Sequence, residues 1–190
     1  MMRALLFCSF AVLTWLTARP SVSLARPAQV LIIRHAEKPE DPDETTLSDK
    51  GYRRAQELVR VLGPGNRRFK VPEKIFAQTP HDEDGSVRSI ETARPLAQSL
   101  NLRVSQQYEV NEGWALAEHL LESPAYDGKI VLVVWGKDEI PEIAQELGAR
   151  RLPNQWPKGV YDRIWRLVFD GGRVKSENLP MRALRGDSRD

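Results

Sequence analysis

The stretch QVLIIRHAEK at residues 29–38 joins an apolar run directly to two polar side chains that can carry chemistry. A continuous apolar, mostly β-branched run is typical of a strand that helices cover on both faces, as in a parallel sheet. Arg34 and His35 follow where that strand should end. Open sheets of this kind bind ligands beyond the carboxyl ends of their strands, so Arg34 and His35 are the first candidate functional residues.

The sequence that follows alternates between helix and strand patterns. After the candidate N-cap Ser48, apolar residues recur every three or four positions over residues 49–62, which predicts an amphipathic helix. Pro95 inside the second predicted helix indicates a kink or a late helix start there. Similar patterns predict helices at residues 90–100, 114–121 and 140–147, and strands at residues 74–77, 103–107 and 129–135. This alternation predicts an α/β fold, a three-layer αβα sandwich with right-handed crossovers.

The end of the chain has a different pattern. Residues 163–169 and 173–178 flank the sequence Asp170-Gly171-Gly172, which favours a tight hairpin turn. We therefore expect a mostly parallel sheet that finishes in a C-terminal antiparallel hairpin.

Composition limits the classes of function. The chain has 190 residues, 41% hydrophobic and 28% charged, which excludes a disordered tail and a multi-span membrane protein. Its net charge of +2 comes from 28 Lys and Arg against 26 Asp and Glu, and residues 1–25 contain two arginines and no acid. The remainder is electrically balanced, so it has no overall field with which to hold a nucleic acid. Function must come from a local site.

Residues 1–25 have the features of a secretory signal peptide. Arg3 gives a positive start, an apolar run of about 15 residues follows, and the small residues Ser23 and Ala25 precede the expected cleavage point. An uncleaved anchor is the alternative, but a spanning helix needs about 20 apolar residues. We expect a secreted or periplasmic protein with no membrane span after cleavage and one domain at residues 26–190. That domain contains no cysteine, because the single Cys8 lies in the leader.

Arg34 and His35 together suit phosphate chemistry. A guanidinium presents a planar pair of donors to two phosphate oxygens, and a neutral imidazole nitrogen can attack phosphorus and carry the phosphoryl group. Two residues specify little by themselves, however. The alternative is that Arg34 pairs with a surface acid and His35 only ends a strand. Glu37 and Lys38 either tune His35 or face water.

Several motifs in order resemble the histidine phosphatase superfamily, the phosphoglycerate-mutase-like phosphohydrolases. The resemblance implies that His35 is the nucleophile and that Arg34 and Arg88 bind the phosphate, whereas Ser48 and Gly51 match structural positions at a helix start. The motifs are VLIIRHAEKPE at residues 30–40, LSDKGYRRAQEL at 47–58, IFAQ at 75–78, VRSIETARPLAQSL at 87–100, KIVLVVWGKDEIP at 129–141 and NLPMRALRGDS at 178–188.

The resemblance also implies an acid that protonates the leaving alcohol. Many family members carry this acid after the third strand, where Glu112 lies in this chain. General-acid help of this kind is typically worth about 10²- to 10⁴-fold in rate. The structural alternative is an exposed glutamate in the first turn of a helix, favoured there by the helix dipole.

The sequence departs from the family pattern after the fourth strand. Family members carry a second histidine there, often in a Trp-Xaa-His sequence that leads to Ile-Pro, whereas this chain has WGKDEIP at residues 135–141. Lys137 takes the position of that histidine and is expected to bind phosphate, but lysine is a poor proton carrier near neutral pH.

His81 is either a replacement that swings toward the site or a solvated loop residue. His119 is expected to be an ordinary helix residue.

Two functions therefore stay open. The first is a phosphohydrolase that acts on a small phosphomonoester through a phosphohistidine at His35. The second is a catalytically weak or inactive protein that binds a phosphate ligand. A phosphoglycerate mutase fits less well because the second histidine is absent. We expect no metal or other cofactor, since consecutive acids such as those at residues 82–84 are usually solvated.

Trp156 lies in a predicted loop, and we expect it to fold over the mouth of the site.

Overall fold

A computed structural model describes residues 26–82 and 85–188 of the chain. The expected signal peptide at residues 1–25, with Cys8, lies outside the described residues and stays a prediction. Within the described part, no helix has the length and apolar character needed to cross a bilayer.

Within the described residues, six strands form one mixed sheet. The strands are β1 (Gln29–Arg34), β2 (Lys74–Ala77), β3 (Val104–Ser105), β4 (Ile130–Trp135), β5 (Arg163–Asp170) and β6 (Arg173–Pro180). Their order in space is β3-β2-β4-β1-β5-β6. The first four strands run parallel, β5 pairs antiparallel with β1, and β6 pairs antiparallel with β5. Arg34 and Trp135 lie in register at the carboxyl ends of the central strands β1 and β4.

In the part of the chain that the structure describes, four α-helices cover the sheet, two on each face. Alternate residues of β1 point to opposite apolar layers, with Val30 and Ile32 packed in one layer and Leu31 and Ile33 in the other. The helices are α1 (Asp49–Leu62) and α2 (Arg88–Ser99) on one face, and α3 (Gly113–Glu122) and α4 (Ile140–Glu146) on the other. The three-layer αβα sandwich predicted from the sequence is thus confirmed.

The local predictions differ from the structure in two places. Helix α2 begins at Arg88 and contains Pro95, so the helix does not start late. Strand β3 is only two residues long, shorter than predicted. The hairpin is confirmed, because Gly171 and Gly172 form a two-residue turn with φ angles of 52° and 83°. Positive φ at both positions suits the turn type that matches strand twist.

Helix α1 begins against the backbone of the segment that follows β1. The backbone N and the Oγ of Ser48 both donate to the Glu37 carbonyl oxygen, at 3.0 and 3.1 Å. The backbone N of Gly51 donates in turn to Ser48 Oγ at 3.2 Å. A Cβ atom at Gly51 would lie only 2.3 Å from the Glu37 carbonyl oxygen. Glycine is required there because the backbones approach too closely for any side chain.

A buried ion network fastens the same segment to the C-terminal region. Arg54 donates to the Glu37 carboxylate at 2.8 and 2.9 Å and to the Asp187 carboxylate at 2.8 and 2.9 Å. Burial by itself would raise the pKa of Glu37, but the hydrogen bonds and charge of Arg54 outweigh that effect and hold it below its usual value. Glu37 is therefore a structural residue that is fully engaged by Arg54 and by Lys50.

We expect Gly51→Ala to lower the free energy of unfolding by about 1–3 kcal/mol, the usual range for overpacking. Alanine is intrinsically better than glycine in a helix by about 1 kcal/mol, so any net loss has to come from the clash with Glu37. Urea denaturation measures the change. The exposed substitution Gln56→Ala in the same helix is the control and should shift stability by no more than about 0.5 kcal/mol. A Gly51→Ala protein as stable as the control would contradict the close approach.

Candidate active site

The candidate site lies at the carboxyl ends of β1 and β4. Arg34 is the last residue of β1, and the backbone N of His35 donates to the Trp135 carbonyl of β4 at 3.0 Å. Two neighbouring parallel strands therefore hold the arginine and the histidine at one sheet edge. This is the edge at which the sequence predicted a ligand site.

The imidazole of His35 is held in one tautomer. Its Nδ1 atom lies 2.7 Å from the Ala36 carbonyl oxygen. A carbonyl only accepts, so Nδ1 carries the proton and Nε2 keeps a free lone pair. Burial lowers the pKa of His35, and the positive charges of Arg34 and Arg88 lower it further. The hydrogen bond to Ala36 raises the pKa, but the lowering effects are larger and bring it to about 4. The ring is neutral at pH 7 and able to act as a nucleophile.

Arg34 is almost completely buried, with 4% of its surface exposed. Its Nη1 donates to the Val160 carbonyl at 3.3 Å and its Nη2 to the Tyr161 hydroxyl at 3.2 Å, while Cζ lies 3.9 Å from the centre of the Tyr161 ring. Its Nε is buried without a hydrogen-bond partner among the described residues. Burial lowers the pKa of Arg34 below its usual value. Each terminal nitrogen keeps one N–H group that these contacts do not use.

Arg34 and Arg54, the two buried arginines among the described residues, differ in their charge partners. Arg54 is matched by two carboxylates, whereas no carboxylate among the described residues forms an ion pair with Arg34. The charges of Asp138 and Glu37 act on Arg34 only from a distance. A buried cation without a direct counterion favours the binding of an anion.

Arg88 supplies a second guanidinium to the site. It is the first residue of α2, and it is held by the loop after β1, because its Nε donates to the Thr46 carbonyl at 2.9 Å and its Nη2 to the Glu44 carbonyl. Its charge helps to lower the pKa of both His35 and Arg34. The structure therefore brings together the three residues that the motifs singled out.

Glu112 does not join this cluster. It is the exposed residue directly before α3, and its carboxylate accepts a hydrogen bond from the backbone N of Glu109 at 2.8 Å. Nothing in the described contacts of Glu112 involves Arg34, His35 or Arg88. The position matches the structural alternative stated above, and the catalytic role of Glu112 stays a prediction.

Lys137 lies at one side of the site. Its Nζ is paired with the carboxylate of Asp138, so part of its charge is already neutralised. Lys137 and Asp138 line a cavity of about 740 Å³ together with Pro141 and residues 154–158. The charge of Asp138, one of the residues that line this cavity, also acts on Arg34 and raises its pKa against the effect of burial. The role of Lys137 in phosphate binding stays a prediction.

The other two histidines have local partners. His81 is exposed and its Nδ1 lies 2.6 Å from the Glu109 carboxylate, which raises the pKa of His81. His119 contacts the hydroxyl of Tyr108 and packs edge-on against Tyr126, with ring centres 5.2 Å apart. Within the described residues, neither histidine has a contact with His35.

Trp156 is a core residue rather than a cover for the site. It is 5% exposed and packs against Trp165, with ring centres 5.0 Å apart. Its Nε1 donates to the Val160 carbonyl at 2.9 Å. The expectation that it folds over the mouth of the site is wrong, because its side chain belongs to an apolar layer of the sandwich.

Tyr161 is the site residue that the sequence analysis missed. It precedes β5, which pairs antiparallel with β1. In an antiparallel pair, the beginning of one strand lies at the same edge of the sheet as the end of the other, so Tyr161 lies near the end of β1. Its ring centre lies 6.1 Å from that of His35. The predicted hairpin could have pointed to this residue, had the pairing of β5 with β1 been known.

Three solved phosphatase structures share this architecture. The mycobacterial glucosyl-3-phosphoglycerate phosphatase, in complex with inorganic phosphate, is 14% identical with a TM-score of 0.54, and the alignment covers 80% of this chain and 95% of that chain. The protein histidine phosphatase SixA, complexed with tungstate, is 16% identical with a TM-score of 0.53, covering 80% and 96%. A putative α-ribazole-5′-P phosphatase from Escherichia coli K-12 is 13% identical with a TM-score of 0.51, covering 84% and 98%.

The likeness is visible in the fold and not in overall sequence. No model of a known protein family matches the chain, and no curated protein sequence matches it either. At identities of this size the solved structures establish the architecture alone. The strands and helices of this chain are arranged as in these three phosphatases, so the chain shares their fold.

Proposed function

We propose that the protein is a phosphohydrolase that cleaves a small phosphomonoester through a phosphohistidine at His35. The observation that carries the proposal is a neutral imidazole with a free Nε2 next in sequence to a buried guanidinium that forms no ion pair with a carboxylate of the described residues. A dianionic phosphoryl group would supply the missing negative charge. The phosphatases that share the fold support the same class of reaction.

The reaction follows from these groups. Arg34 and Arg88 hold the phosphoryl oxygens and neutralise the charge that builds up on them, which places phosphorus in line with His35. The Nε2 lone pair bonds to phosphorus as the ester P–O bond breaks, and the leaving oxygen needs a proton. Water then attacks the phosphohistidine, the P–N bond breaks, and phosphate and a neutral His35 are released.

A second candidate function is a phosphate-binding protein with little or no turnover. It is favoured by Lys137, which stands where the family carries its second histidine and which is paired with Asp138. Such a protein would keep the two arginines and His35 as a binding site. It would lack the means to move the protons that turnover requires.

The phosphohistidine is the first point to test. With p-nitrophenyl phosphate, rapid quenching in base and mass spectrometry should find phosphate on His35, because a phosphohistidine survives alkali better than acid. His35→Ala should abolish the adduct and lower kcat by at least about 10³-fold, since the nucleophile is lost. Steady turnover without an adduct, or turnover that persists in His35→Ala, would contradict the proposal.

Lys137→His tests the second candidate. If the absent histidine limits turnover, this substitution should raise the phosphatase rate by about tenfold or more, within the range of general acid–base catalysis. The Kd for inorganic phosphate, measured by calorimetry, should weaken only slightly, because Arg34 and Arg88 are intact and the contribution that is lost is that of Lys137, which is already paired with Asp138. An unchanged rate would show that the missing histidine is not the limit and that another group handles the proton.

The protonation of His35 can be read directly by NMR titration of the imidazole resonances. We expect a midpoint at about pH 4 for His35, with the ring neutral above that pH and cationic below it. His81 is an internal reference whose midpoint should lie above the ordinary histidine value because of Glu109. His35→Asn assigns the signal, and circular dichroism checks that the chain is folded at pH 4. A His35 midpoint near pH 6.5 would contradict the buried environment.

A further inference from the structure

The described site contains a nucleophile and two phosphate ligands but no evident proton donor for the leaving alcohol. The carboxylate of Glu112 is bonded to the backbone of Glu109. Lys137 is paired with Asp138, and His81 is exposed and paired with Glu109. An alkyl ester is a poor substrate without such a donor, because the alkoxide that leaves is a strong base.

One tyrosine, Tyr161, contacts Arg34 directly, lies near the ring of His35 and acts electrostatically on Arg88. The Tyr161 oxygen lies 3.2 Å from Arg34 Nη2, and the phenol ring stacks on the Arg34 guanidinium at 3.9 Å. The same ring is tilted by 59° toward His35 with centres 6.1 Å apart. Tyr161 also interacts electrostatically with Arg88. Its hydroxyl therefore lies beside the guanidinium that, in the proposed function, holds the phosphoryl oxygens.

The position of Tyr161 is fixed by its neighbours on both sides. The Val160 carbonyl accepts from Trp156 Nε1 at 2.9 Å and from Arg34 Nη1 at 3.3 Å. On the other side, Asp162 accepts from the backbone N of Met181 at 2.7 Å and from that of Ser188 at 2.6 Å. A side chain anchored in this way meets the requirement that a catalytic group be held in place before substrate binds.

We propose that Tyr161 is the general acid and base of the reaction, an inference that rests on the proposed function and deepens it. The phenol oxygen accepts a hydrogen bond from Arg34, so the phenol's own proton is free to be donated elsewhere. The guanidinium that gives this bond also stabilises the phenolate that forms when the proton leaves. Tyr161 thus takes over the proton-carrying role that the absent second histidine leaves unfilled.

The proton balance closes over the two half-reactions. In the first, His35 Nε2 bonds to phosphorus, the ester P–O bond breaks with its electron pair on oxygen, and that oxygen takes the proton of Tyr161. In the second, the Tyr161 phenolate takes a proton from water while the water oxygen bonds to phosphorus. The P–N bond breaks with its electrons on Nε2. The sum is ester and water to alcohol and phosphate, with both side chains restored.

The test compares two substrates in Tyr161→Phe. Glycerol phosphate has an alkyl leaving group that needs a proton, whereas p-nitrophenyl phosphate has one that leaves as a stable anion. We expect kcat/KM for glycerol phosphate to fall by about 100-fold and the loss for p-nitrophenyl phosphate to be at least about tenfold smaller. Tyr108→Phe is the matched control, since its hydroxyl contacts His119 and not Arg34, and it should leave the ratio of the two substrates unchanged.

Each other outcome overturns the inference. An equal fall for both substrates would mean that Tyr161 only positions Arg34, and a rise for both would mean that it obstructs the site. Failure of the proposed function is separate, because it appears in the wild-type protein as the absence of a phosphorylated His35 with p-nitrophenyl phosphate. If the wild-type protein forms the adduct but Tyr161→Phe leaves the ratio of the two substrates unchanged, the role of Tyr161 is rejected and the proposed function stands.

Discussion

The constraint on which the site depends is the burial, at the end of the central strand, of a guanidinium that has no carboxylate partner among the described residues. Arg34 is the last residue of a strand covered on both faces, so its side chain leaves the sheet where little water can reach it. A charge buried in this way is costly unless hydrogen bonds or a counterion offset the lost hydration. Only the Val160 carbonyl and the Tyr161 hydroxyl and ring do so among the described residues. In the proposed function, an incoming phosphoryl group would complete the pairing.

The same burial sets the chemistry of the neighbouring imidazole. His35 is kept neutral by burial and by the charges of Arg34 and Arg88, and its Nδ1 proton is held by the Ala36 carbonyl. The two cations that would attract an anion in the proposed function thus also keep the imidazole from becoming a cation. In that proposal one set of charges serves both binding and activation, since a protonated imidazole has no lone pair on Nε2 with which to attack.

A second arginine shows what a structural role looks like in the same fold. Arg54 is as buried as Arg34, but two carboxylates, those of Glu37 and Asp187, satisfy it completely. Together with the close approach of Gly51 to the Glu37 backbone, this network fastens the segment after His35 to α1 and to the C-terminal region. The segment beside the site is thus held by fully paired groups, whereas Arg34 has no carboxylate partner among the described residues.

Local sequence patterns determined most of the architecture. Both-face burial of β1, the alternation of strands with helices, the Gly171-Gly172 hairpin and the adjacency of Arg34 to His35 all depend on residues near one another in the chain. The place of Tyr161 was decided only by tertiary structure, because it meets Arg34 across 127 positions through the pairing of β5 with β1. Periodicity shows that a strand exists and which faces are buried, but it does not encode which strand becomes its neighbour. The groups that complete the site therefore became visible only when strand order and register were known.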